Sequence, residues 1–132
     1  MILVDTSVLF DILNDDPNWA DWSQAALESA LGTGPAIIND IIYAELSVRF
    51  DSVDRVDAAV VGLGLQHAAI PKPALLLAGK AFQLYRARGG TKSGVLSDFF
   101  IGAHAAVEGW HLLTRDPTRV RSHFPTVELI AP

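Results

Sequence analysis

Four carboxylates in this sequence stand against apolar segments: Asp5 in MILVDTSVLFDIL, Glu45 in INDIIYAELSVRF, Asp98 in GVLSDFFIGAHAAVEGW and Asp116 in HLLTRDPTRVRSHFP. Each has an ordinary structural explanation. Asp5 sits where a helix begins, Ser97 can cap the helix that Ser97-Asp98 opens, and Asp, Ser and Thr are the residues preferred for capping helix amides. Asp98 would also favour the positive end of the helix dipole. Asp116 precedes Pro117, the usual grammar of a helix entry. Glu45 could pair with Arg49 one turn on. Taken together they suggest chemistry instead. Carboxylates brought close without a counter-charge repel one another, and some must bind protons to coexist. A divalent cation removes that conflict, and a site of oxygen donors alone suits Mg²⁺ or Mn²⁺, ions that commonly engage phosphate oxygens. Such a site would activate a water and steady the leaving oxygen of a phosphodiester.

Whether the acids meet depends on the elements that carry them. Apolar runs with β-branched members predict strands at Met1 to Asp5, Ala36 to Asn39, Leu65 to Ile70, His111 to Thr114 and Val127 to Ile130. Helical periodicity predicts helices at Val8 to Asn14, Trp19 to Leu31, Ile41 to Phe50, Val53 to Gly62, Pro73 to Arg88 and Asp98 to Gly109, with a short turn near Pro117 to Arg121. Alternation of this kind implies an α/β chain, a parallel sheet covered by helices on both faces. In open sheets, sites form beyond the carboxyl ends of the strands where the strand order reverses. If the first strand lies beside the fourth, all four acids converge there.

Composition bounds the alternatives. The 132 residues make one expected domain, residues 1–132, large enough to bury a core unaided. No cysteine is present, which excludes thiolate metal sites and thiol nucleophiles. No secretory signal is visible, and the apolar neighbourhood from Ala58 to Leu77 is interrupted by charged and proline residues, so the expectation is a cytoplasmic protein with no membrane span. Half the residues are apolar, a surplus that points to surface covered by a partner or a second copy. The net charge of −5 is unusual for a nucleic-acid enzyme. Local potential answers that objection if Arg86, Arg88 and Lys92 in RARGGTKSG, with Arg115, Arg119 and Arg121, rim the acidic site.

The pieces VDTSVLFDIL, YAEL, LSDFFIGAHA and LLTRDPTRVRSHFP followed by VELI, in that order over nearly the whole chain, resemble the PIN domain, and within it the VapC-type toxins of bacterial toxin–antitoxin pairs. The resemblance implies a three-layer α/β/α sandwich with a central parallel sheet and a metal-dependent endoribonuclease. Asp5, Glu45, Asp98 and Asp116 then occupy the four acidic catalytic positions, with Asp5, Asp98 and Asp116 as metal ligands for Mg²⁺ or Mn²⁺. It also implies a homodimer and a VapB-type antitoxin whose C-terminal segment reaches towards the acids. Thr6, Thr114 and Arg115 are weaker candidates for substrate or metal-water contacts. Where many relatives carry a small hydroxyl residue before the glutamate, Asn39-Asp40 stand here, and Asp40 is read as a cap. The histidines His67, His104, His111 and His123 lack ligand spacing and are read as structural; Trp19 and Trp22 are read as packing residues. A catalytically silent RNA- or protein-binding module is the alternative. A haloacid-dehalogenase-like phosphatase would want Asp where Ser7 stands, and a receiver domain would want Asp where Ile70-Pro71 stand.

Overall fold

The structure, a computed structural model, describes residues 1–92 and 95–132; Ser93 and Gly94, which end the basic stretch RARGGTKSG, lie outside the described residues. In chain order the elements are β1 (Ile2–Val4), α1 (Thr6–Leu13), α2 (Ala20–Thr33), β2 (Ala36–Asn39), α3 (Asp40–Ser47) and α4 (Val53–Gly62). They continue with β3 (Leu65–Ala68), α5 (Lys72–Ala87), α6 (Leu96–Glu108), β4 (His111–Leu113), α7 (Thr118–His123) and β5 (Leu129–Ile130). The strands form one sheet of order β3-β2-β1-β4-β5, every pairing parallel. This is the expected α/β/α sandwich.

The pairing that matters is β1 with β4, in the register Ile2↔His111, Leu3↔Leu112 and Val4↔Leu113. Because β2 lies on the other side of β1, the strand order reverses between β1 and β4, and their carboxyl ends open a crevice. The inner strands are buried on both faces, which explains their unbroken runs of Ile, Leu and Val in place of alternation: Leu3, Val4, Ile38 and Leu113 are fully enclosed. Val8 and Leu9 of α1, Ile42 and Leu46 of α3, and Phe99 and Ile101 of α6 close over them. At roughly 25 cal/mol per Å² of apolar surface removed from water, this burial is the main force holding the layers together.

Several boundaries move for identifiable reasons. Helix α3 begins at Asp40, because the side chain of Asn39 is the cap and accepts hydrogen bonds from the amides of Ile41 (3.1 Å) and Ile42 (3.0 Å). The expectation that Asp40 caps is therefore corrected: its carboxylate meets His67 Nε2 at 2.7 Å instead. Strand β5 is only two residues long, starting later than Val127, and β3 stops at Ala68 because no partner residue of β2 continues beyond Asn39. Helix α6 ends at Gly109, whose φ of 68° is the left-handed conformation that glycine adopts without steric cost. Within α6, Gly102 faces the Phe124 ring so closely that an added Cβ would lie 2.5 Å from Cδ2. That close approach seats the segment after α7 on α6 and fixes where α7 can stand.

Candidate functional site at the carboxyl ends of β1 and β4

A cleft of about 480 Å³ opens at the reversal point, lined by Asp5, Thr6, Ser7, Phe10, Glu45, Asp98, Asp116, Thr118, Arg119, Ser122 and His123. All four acids singled out from the sequence line it, although they lie on different elements. Asp5 follows β1, Glu45 is on α3, Asp98 is in the first turn of α6, and Asp116 lies between β4 and α7.

The capping explanations fail locally. Asp5 occupies the N-cap position of α1 but makes no side-chain capping bond. Its Oδ2 instead accepts from Ser7 Oγ (2.9 Å) and from Thr114 Oγ1 (2.7 Å) across the β1/β4 junction. Ser97 is not the cap of α6 either; Val95 holds that position, while Asp98 lies in the first turn, where its charge suits the helix dipole. Asp116 precedes the N-cap of α7, which is Pro117, and its amide donates to Thr114 Oγ1 at 3.0 Å. Glu45 does not pair with Arg49, which reaches Asn14 and the carbonyl of Leu13. The Oε1 of Glu45 accepts from Thr6 Oγ1 at 2.7 Å.

Electrostatics mark the same place. Burial pushes the Asp5 carboxyl above its ordinary value, opposed by the hydroxyls of Thr114 and Ser7 and reinforced by the charge of Asp98. Burial also raises Glu45, against the Thr6 hydrogen bond and with the charges of Asp5 and Asp98 adding to the effect. Two acids on separate elements thus resist ionisation, chiefly through burial, with the charge of Asp98 adding at both and that of Asp5 adding at Glu45. The cleft answers with one cation of its own: Arg119 Nη1 donates to Asp98 Oδ2 at 2.6 Å.

A divalent ion fits this donor set in its chemistry. The acids offer oxygen only, and the neighbouring negative charges felt by Asp5 and Glu45 are what added positive charge would relieve. As the side chains stand, though, no three carboxylate or imidazole groups among the described residues are grouped so that they could hold one ion. Asp98 is engaged by Arg119.

The weaker candidates divide. Thr6 and Thr114 are buried, and their hydroxyls hold the carboxylates of Glu45 and Asp5. Arg115 is not in the cleft: its Nε donates to the buried Asp11 at 2.7 Å and its guanidinium lies over the Trp19 ring at 5.5 Å. Its role as a substrate contact gives way to one in packing, and Trp19 is a packing residue as expected. Arg86, Arg88, Lys92 and Arg121 do not line the cleft, although Arg88 is near enough for its charge to help lower His123. Arg119 alone of the expected rim enters it.

Sequence reasoning missed Ser7 and His123. Ser7 joins Asp5 to the Arg115 amide (3.2 Å), a role that the adjacency Asp5-Thr6-Ser7 could have suggested. His123 lines the cleft wall with its ring 4.9 Å from Phe99, and burial with the nearby charges of Arg119 and Arg88 holds it below its ordinary value. No local pattern signals that position. His104, by contrast, is a buried structural histidine beside Asn39 Nδ2 at 3.2 Å.

Among known proteins, residues 2–121 match the PIN domain. A search of curated proteins finds no match. Solved structures share the fold at low identity. A chain of VapBC2 from Rickettsia felis, crystallised with a promoter DNA fragment, is 17% identical with a TM-score of 0.75, covering 100% of this chain and 99% of that one. VapBC-1 of nontypeable Haemophilus influenzae is 16% identical with a TM-score of 0.72, covering 99% and 98%. VapC20 of Mycobacterium tuberculosis, described as a Sarcin-Ricin loop cleaving toxin, is 16% identical with a TM-score of 0.61, covering 97% and 99%. With a match spanning nearly its whole length, and four separated acids lining one cleft, the chain belongs to the PIN domain family.

Proposed function

We propose that the protein is a metal-dependent endoribonuclease, the toxin of a type II toxin–antitoxin pair, hydrolysing RNA phosphodiester bonds at the cleft of Asp5, Glu45, Asp98 and Asp116. The single observation that carries this is the convergence of those four acids from β1, α3, α6 and the end of β4 onto one crevice. Asp5, Asp98 and Asp116 are the residues to hold Mg²⁺ or Mn²⁺. When bound, such an ion supplies polarisation of water and neutralisation of phosphate charge. Glu45, raised in proton affinity and oriented through Oε1 by Thr6, is suited to accept the proton of an attacking water. Thr114 ties Asp5 to the Asp116 amide, so the acids of neighbouring strands keep one geometry.

The toxin assignment draws on the likeness to VapBC complexes. A homodimer and a VapB-type antitoxin would account for exposed Leu75, Leu76 and Leu84 along α5. Among the described residues no helix is long and apolar enough to cross a membrane, and the proposed setting is the cytoplasm.

One observation favours the second reading, a catalytically silent RNA- or protein-binding module: no ready-made ion-holding group of three exists among the described residues. Incubating the purified protein with mixed RNAs and Mg²⁺ or Mn²⁺ decides between them. Ion-dependent cutting is expected, reduced about 100-fold or more in Asp5→Ala and in Asp98→Ala, a loss of roughly 2.7 kcal/mol of transition-state stabilisation. Cutting that persists in both variants defeats the assignment. No cutting of any RNA favours the binding module.

A further inference from the structure

We propose that Arg119 changes partners during the catalytic cycle: it neutralises Asp98 before an ion binds, and contacts an RNA phosphate once Asp98 is ceded to that ion. The inference rests on the nuclease reading.

Three observations support it. Arg119 Nη1 holds Asp98 Oδ2 at 2.6 Å inside the cleft, on an acid that the proposed ion needs. A guanidinium and a divalent cation repel each other on one carboxylate, so an ion that takes Oδ2 displaces the guanidinium from it. The pair is accessible enough to part, with side chains 27% and 40% exposed. Finally, no second acceptor among the described residues takes the remaining N–H groups of Arg119, which form a planar fork matched to phosphate oxygens.

The surroundings favour a side-chain swing over movement of α7. The Phe124 ring packed on Gly102 anchors the chain just after this helix, and Val120, next to Arg119, is buried. His123 and Arg119 line the wall together, and Arg88 stands near. The released guanidinium therefore remains beside the acids, on a flank of the cleft that carries positive charge, where an incoming phosphate would be met.

Calorimetric titration of Mn²⁺ into RNA-free wild type and Arg119→Gln tests the first step. The variant is expected to bind Mn²⁺ about five- to tenfold more tightly, because no side-chain cation competes for Asp98. RNA affinity is then measured by fluorescence anisotropy in a Glu45→Gln background, which on the nuclease reading leaves the RNA uncut. With saturating Mn²⁺, adding Arg119→Gln should weaken RNA binding about tenfold, and Arg119→Lys should restore part of it. Without Mn²⁺ it should change little. Equal Mn²⁺ affinity in wild type and Arg119→Gln would make the pair a mere tether of α7 to α6, overturning the proposal while leaving the nuclease standing. Tighter Mn²⁺ with unchanged RNA binding would overturn the phosphate role. Failure of both proteins to take up Mn²⁺ would remove the proposal and the nuclease reading together.

Discussion

Two acid–arginine pairs flank β4 of this protein, and their differences separate architecture from chemistry. Asp11 and Arg115 meet at 2.7 Å with Asp11 almost wholly enclosed, its side chain 3% exposed. Ser23 Oγ donates to the same oxygen, Oδ2, at 2.7 Å, and Trp19 covers the guanidinium. Asp98 and Arg119 meet at 2.6 Å, but in an open cleft, with no comparable cover. A buried, multiply bonded pair clamps one arrangement, here α1 and α2 to the turn after β4. A half-exposed pair with spare donors can be exchanged for other partners at low cost. The clamp matters to the site as well, because Arg115 immediately precedes Asp116 and its amide is held by Ser7, the residue that also bonds Asp5.

The largest effect should come from breaking the clamp. Asp11→Ala leaves Arg115 and Ser23 without their common partner and is expected to cost about 3 kcal/mol of stability, read as a lower urea midpoint. Asp98→Asn in the same assay should cost no more than about 1 kcal/mol, since its pair is part-exposed, while still removing RNA cleavage. Equal destabilisation by both would erase the distinction between clamp and exchangeable pair.

A subtler probe uses pH. The folded-state pKa of Asp5 is raised above its ordinary 3.8, so folding favours the protonated form. The sign follows directly: the contribution is fully favourable below the ordinary value and is lost as pH rises through the raised one. Asp5→Asn removes this loss. The difference in melting temperature between Asp5→Asn and metal-free wild type should therefore shift in the variant's favour as pH climbs above about 4. His104 and His123, lowered chiefly by burial, act in the opposite sense below their ordinary 6.5, which is why the difference between the two proteins, not either curve alone, is the measurement. A flat difference would show that Asp5 carries no burial penalty.

The smallest effect should come from Asp51 and Arg55, 3.4 Å apart with side chains 81% and 73% exposed. Arg55→Ala is expected to change stability by no more than about 0.5 kcal/mol at moderate salt. A larger loss would mean that exposure is a poor guide to which of these pairs matter.

Legibility in the sequence followed the range of the forces involved. Burial of inner strands on both faces writes itself as unbroken apolar runs, and β2 was readable as Ala36–Asn39 to the residue. Helix α4 was equally plain, because Ser52 caps it and Gly62 ends it. The four acids could be named because a carboxylate against an apolar run is conspicuous. What they bond to was not readable. Thr114 reaching Asp5 and Thr6 reaching Glu45 are separated by 109 and 39 residues, and nothing in local spacing encodes such partners.

Hydropathy and turn chemistry, both local in sequence, sufficed for the order of elements, the parallel α/β class and the identity of the acids. Tertiary structure alone decided that β1 lies against β4, that Arg115 turns inward to Asp11 while Arg119 turns to the cleft, and that His123 joins its wall. The reason is physical: two arginines four residues apart are chemically identical until packing assigns one a buried carboxylate and the other an open one.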